Sequence, residues 1–100
     1  MGHLEVIGGK GIIPDGATEL EHAFFDSTCL ESIEIPDSVT TIGESAFYGC
    51  TSLKSIKIPN SVIEINRHAF IICTSLQSIE FLNSVIKIGS SAFNRCTSTV

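Results

Sequence analysis

Ile35-Pro36-Asp37-Ser38-Val39-Thr40-Thr41-Ile42-Gly43-Glu44-Ser45-Ala46-Phe47-Tyr48-Gly49-Cys50-Thr51-Ser52-Leu53-Lys54-Ser55-Ile56-Lys57 returns almost column for column as Ile58 to Glu80. The Ala-Phe pairs end at Phe24, Phe47, Phe70 and Phe93, which sets a repeat of 23 residues. Units of this length cannot bury their apolar residues alone, and they bury them by stacking on copies of themselves. The quoted stretch is therefore one rung of a coil, and about three and a half such rungs fit in 100 residues.

Within each rung, Leu30-Glu31-Ser32-Ile33-Glu34-Ile35 recurs as Leu53 to Ile58 and as Leu76 to Phe81. The last four residues alternate outward and inward, with β-branched residues inward, which is the period of a strand. A strand that returns in register every 23 residues must run parallel to its predecessor, about 4.8 Å away. The expected inward columns are Leu30/Leu53/Leu76, Ile33/Ile56/Ile79, Ile35/Ile58/Phe81, Val39/Val62/Val85, Ile42/Ile65/Ile88, Ala46/Ala69/Ala92, Phe47/Phe70/Phe93 and Cys50/Cys73/Cys96.

Pro36 and Pro59 end the strand, because proline has no donor for the next ladder bond. Ser38, Ser61 and Ser84 are expected to hydrogen-bond turn backbone. Gly43 and Gly89 mark a second bend, with Asn66 in the same column, and all three tolerate positive φ. The Ala-Phe segment has room for no more than one helical or 3₁₀ turn.

Towards the N-terminus the pattern is less regular. Leu4-Glu5-Val6-Ile7 reads as a strand fragment and Gly8-Gly9-Lys10-Gly11 as a flexible turn. The copy from Ile12 lacks one residue before Ala23-Phe24. The division expected is an irregular segment, 1–11, and a repeat domain, 12–100, with repeats at about 12–34, 35–57, 58–80 and 81–100. The last copy runs to Thr97-Ser98-Thr99-Val100, with Thr99 in the leucine column.

A net charge of −5 with six Lys plus Arg argues against nucleic acid or an anionic membrane as partner, since both select clustered positive charge. No apolar run is long enough for membrane insertion, and the N-terminus does not read as a signal peptide.

The pattern Ile-Pro-x-Ser-Val-x-x-Ile-Gly-x-x-Ala-Phe-x-x-Cys-Thr-Ser-Leu-x-x-Ile resembles the BspA-like, or Treponema pallidum-type, class of leucine-rich repeats over roughly residues 12 to 98. The resemblance implies a leucine-rich repeat solenoid, mainly parallel β with short helical or 3₁₀ turns. It also implies a surface or secreted protein of the adhesion or protein-binding kind. No catalytic motif comes with it. The compartment is left open, because the implied surface location and the lack of a signal peptide point in different directions.

Four sets of residues are candidates for chemistry. Cys50, Cys73 and Cys96 share a column, with Cys29 two positions off it; buried reduced thiols are expected, with a disulfide or a metal ladder as alternatives and the zinc spacing rules unmet. His22, Ser45, His68 and Ser91 form a ladder before each alanine. A serine–histidine nucleophile needs an orienting acid, none is placed by the repeat, and exposed turn residues are expected. No enzyme activity and no cofactor or metal follow. The outward strand rows, Ser32, Ser55 and Ser78 with Glu34, Lys57 and Glu80, serve register and solubility or form a recognition face for a protein partner. Finally, Ile63, Ile71, Ile72, Leu82 and Ile86 stand at outward positions. They mark either a self-association surface or relaxed selection in a decaying repeat. With no polar cap read at either end, a homo-oligomer is expected.

Overall fold

In the computed structural model, which describes residues 4–82 and 86–96, the chain is a parallel β-solenoid built on the 23-residue rung. Its strands are β1 (Val6–Ile7), β2 (Lys10–Gly11), β3 (Glu19–Leu20), β4 (Ser32–Ile33), β5 (Thr41–Ile42), β6 (Ser55–Ile58), β7 (Glu64–Ile65), β8 (Ser78–Phe81) and β9 (Lys87–Ile88). One side of the coil is a continuous parallel sheet in the order β3-β5-β7-β9, with Leu20 beside Ile42, Ile42 beside Ile65 and Ile65 beside Ile88. The other side carries the quoted strand and is divided into two ladders, β1-β2-β4 and β6-β8. Strand β6 has the outward and inward alternation expected of it, with Ser55 and Lys57 exposed and Ile56 and Ile58 buried.

The interior is made of the repeated columns. Leu20, Leu30, Leu53 and Leu76, Val39 and Val62, Ile42, Ile58 and Ile65, and Phe24, Phe47 and Phe70 are all fully buried. The phenylalanines form a stack along the coil axis, with ring centroids 5.5, 5.0 and 5.1 Å apart from Phe24 through Phe93. Offset stacks of this kind contribute about 0.5–1.5 kcal/mol per pair beyond burial. Two residues of the expected inward columns are exposed: Phe81 at 41% and Ile88 at 49%. Both lie in the last described rung, which among the described residues has a packed neighbour on one side. Phe81 rests edge-on against Phe93. Val85 and Ser84 lie outside the described residues, as do Thr97 to Val100.

The Ala-Phe segments are hydrogen-bonded turns, and no helix occurs among the described residues. Each turn closes with bonds three residues long, such as Tyr48 N to Ser45 O and Cys50 N to Phe47 O. The turns are also joined to the next rung: Phe24 N donates to Ala46 O, Phe47 N to Ala69 O and Phe70 N to Ala92 O, at 2.7–2.8 Å. Donating forward while the second sheet donates backward requires the chain to reverse its amide direction twice. It does so in two columns of left-handed residues, His22/Ser45/His68/Ser91 and Asp26/Gly49/Ile72/Arg95, all with φ between 56° and 72°.

Positive φ is thus not at the bend of Gly43, Asn66 and Gly89, none of which is left-handed. Glycine is needed at 43 for a different reason: a Cβ there would stand 2.8 Å from the Leu20 carbonyl. The serine column differs as well. Ser38 Oγ donates to Ala17 O at 2.6 Å, whereas Ser61 Oγ is buried without a partner.

Lys10 and Gly11 belong to a strand and not to a turn. Gly8 and Gly9, with φ of 57° and 81°, make the two-residue hairpin whose twist suits antiparallel strands. Strand β1 pairs antiparallel with β2, and β2 pairs parallel with β4. Gly11 falls opposite Ile33, and a Cβ on it would meet Ile33, Leu30 and Phe24 at 2.7–2.9 Å. A hairpin without side-chain bulk at that point covers this end of the core, with Leu4 and Val6 packed against it.

Candidate functional site

The strand alternation leaves Ser32, Glu34, Ser55, Lys57, Ser78 and Glu80 all exposed on one face. Strands β6 and β8 pair over four residues, with Ser55 opposite Ser78 and Lys57 opposite Glu80. The ladder closes with Leu82 N donating to Ile58 O at 3.0 Å. The corresponding bond one rung earlier would run from residue 59 to Ile35 O, but residue 59 is proline and has no N–H. No ladder joins β4 to β6. Their entrance is held by Lys54 N to Glu31 O at 3.5 Å, against 2.8 Å for Gln77 N to Lys54 O in the next rung.

Where the strands part there is an open groove of about 500 Å³. It is lined by Ile33, Glu34, Ile35, Pro36, Asp37, Lys57, Pro59 and Leu82. Pro36, Pro59 and Leu82 are one column of the repeat and give the groove its apolar lining. The outward-row reading had found Glu34 and Lys57, but Asp37 and the groove itself were missed. The signal available was the proline column interrupted at Leu82.

The five outward apolar residues occupy three positions around the coil. Leu82 lines the groove and is exposed. Ile63, 58% exposed, and Ile86, half-buried against the core, precede β7 and β9. Ile71 and Ile72 are half-buried in the turn after Phe70. Beside them Phe25 and Tyr48 stack at 4.8 Å.

The histidine–serine ladder is not a row of exposed turn residues, since Ser45 is buried while His22 and Ser91 are exposed. A carboxylate is also present. Glu44 accepts a hydrogen bond from Arg67 at 2.9 Å, and that bond with the guanidinium charge holds its carboxyl below the usual range, with His22 and His68 adding smaller attractions. Glu44 is thereby committed to Arg67.

Cys50, Cys73 and Cys96 are free and buried, and Cys29 is free and exposed. The buried thiols donate to carbonyls one rung back: Cys50 to Phe24 O, Cys73 to Phe47 O and Cys96 to Phe70 O, at 2.9–3.1 Å. Burial, with the neighbouring Cys73, pushes Cys96 up to about 11. The Cys50 thiol together with burial raises Cys73 further. Among the described residues no three His, Cys, Asp or Glu side chains converge as a metal site.

Comparison with protein families gives a match over residues 13–100 to the BspA type leucine rich repeat region, in six copies. No curated protein and no solved structure matches the chain.

Proposed function

We propose that this chain, which belongs to the BspA-type leucine-rich repeat family, is a non-catalytic protein-binding module of the adhesion kind. Its contact surface is the strand face of Ser32, Glu34, Ser55, Lys57, Ser78 and Glu80. The observation that carries the reading is the continuity of this exposed face with an open groove at one end of its strands. Small hydroxyls and mixed charges give a partner hydrogen bonds without a row of like charge. Selection of binders from a random peptide library displayed on phage tests it. Saturable binders should be displaced by Ser55→Arg and unaffected by Lys87→Glu on the second sheet. Binders that respond to Lys87→Glu and ignore Ser55→Arg would overturn it.

A second reading is self-association through Ile63, Ile71, Ile72, Leu82 and Ile86. It is favoured by β8, which has β6 on one side and no strand on the other among the described residues, and by the exposure of Phe81 and Leu82 beside it. An open strand edge is a template for pairing. Multi-angle light scattering at micromolar concentration should then show a dimer, weakened by Leu82→Lys and Ile63→Lys. A monomer at every concentration excludes it.

A further inference from the structure

We propose that the partner in self-association is a second copy of this chain docked head to tail, its acidic N-terminal end against the end formed by β8 and β9. The inference rests on the self-association reading and adds the orientation of the partner copy, which makes the assembly an open series and not a closed pair.

The rungs follow one another in chain order along the coil, so charge that is uneven along the sequence is uneven along the axis. Eight of the eleven Asp and Glu fall in residues 1–37, together with one lysine, and all eight are exposed. Residues 38–100 hold three acidic residues against five Lys plus Arg. The first end is therefore strongly negative and the rest of the coil mildly positive. Two first ends brought together repel, and two last ends gain no attraction. A last end against a first end is the one pairing that charge favours.

Apolar exposure marks the same two ends. Among the described residues the large apolar side chains that stand exposed are Ile7 and Ile12 at the hairpin end, Phe81, Leu82 and Ile88 in and beside the last strands, and Ile63 between them. Bringing the two ends together removes apolar area from water on both copies. Strand edges are available there as well: β1 and β3 begin their sheets and β8 and β9 end theirs, each with a neighbour on one side among the described residues. Strand β1 lies beyond β2 and β4, on the side of the coil that carries β8, so the hairpin of the next copy is the element that reaches β8. Since β1 runs against β2 while β2 runs with β4, that junction is antiparallel.

The test is sedimentation velocity on the full chain and on two variants, Ile7→Glu with Ile12→Glu at the first end and Leu82→Glu with Arg95→Glu at the last. All four positions are exposed, and circular dichroism of each variant verifies its fold. The native chain should form dimers, trimers and longer species as concentration rises, and added salt should weaken them. Each variant alone should associate at least roughly tenfold more weakly, because every junction it can make has one altered end. An equimolar mixture of the two should recover the native affinity and stop at a dimer, since one intact junction joins each pair. A closed dimer of the native chain, undiminished association of the first-end variant, a mixture no stronger than its parts, or association that salt does not weaken overturns the proposal. A closed dimer lost only in the last-end variant would leave self-association standing and remove this inference alone, whereas a native chain that stays monomeric removes both.

Discussion

Cys50 sits where a hydrophobic column needs a small residue and a carbonyl needs a donor. Its thiol meets both demands, filling space beside Phe47 and donating to Phe24 O at 3.1 Å. In the same column burial disfavours the thiolate of Cys96 and pushes it up to about 11, which makes it a poor nucleophile. In a labelling experiment at neutral pH, one thiol per chain, Cys29, should react promptly and the three buried ones only after denaturation. Prompt reaction of more than one thiol would refute the packing. Ile72 presents the opposite case. A β-branched residue at φ 62° is strained by about 1–2 kcal/mol, in a column where the rung before has Gly49. Ile72→Gly should leave thermal stability unchanged or raised, whereas Ile71→Gly, at ordinary φ, should lower it; equal losses would show that Ile72 is not left-handed. Glu44 contributes only a surface pair, so its effect is small. Because its folded carboxyl is more acidic than in the unfolded chain, that contribution is present above the unfolded value and fades as pH falls through the folded one.

At the scale of the element, the phenylalanine stack and the strand break are the two features with the largest consequences. Phe70 lies between Phe47 and Phe93 and is fully buried. Phe70→Ala should destabilise the protein by about 3–5 kcal/mol, read as a denaturation midpoint, and an unchanged midpoint would contradict the stack. Pro59→Leu restores the N–H that Leu82 uses one rung later. Residue 59 should then gain a slowly exchanging amide. If that amide exchanges freely, the gap has another cause. Repetition made the columns of Ile42 and Phe47 legible in the sequence, since a column that stays apolar in four copies shows its role by what it never contains. The left-handed columns were hidden for the converse reason: His22, Ser45, Asp26, Ile72 and Arg95 share no chemistry, and their backbone is set by the reversal of amide direction. Lys10-Gly11 looked like a turn because Gly11 has no side chain to show inward, although the inward space is already filled by Ile33, Leu30 and Phe24. The outward strand residues could be read from alternation, but the groove brings together residues of three successive rungs, which alternation within one strand does not show.

For the whole molecule, protection should follow position along the axis. Rungs around Phe47 and Leu53 have packed neighbours on both sides, whereas Phe81 and Ile88 are exposed. Native-state hydrogen exchange should therefore be slowest near β5 and faster at β8 and β9. Uniform exchange across the rungs would mean that the array opens as one unit. The two opposed sets of inter-rung bonds have a mechanical side. Gly43 N holds the rung behind it through Leu20 O, and Phe47 N holds the rung ahead through Ala69 O, so tension along the axis loads both and gives an interior rung no weak side. A chain tethered at its two termini should yield by peeling from an end, and each peeled rung would release roughly 75–83 Å of contour length, the extended reach of its 23 residues. The protein would then act under load as a series of equal extensible links, lengthening in discrete steps while the remaining links stay closed.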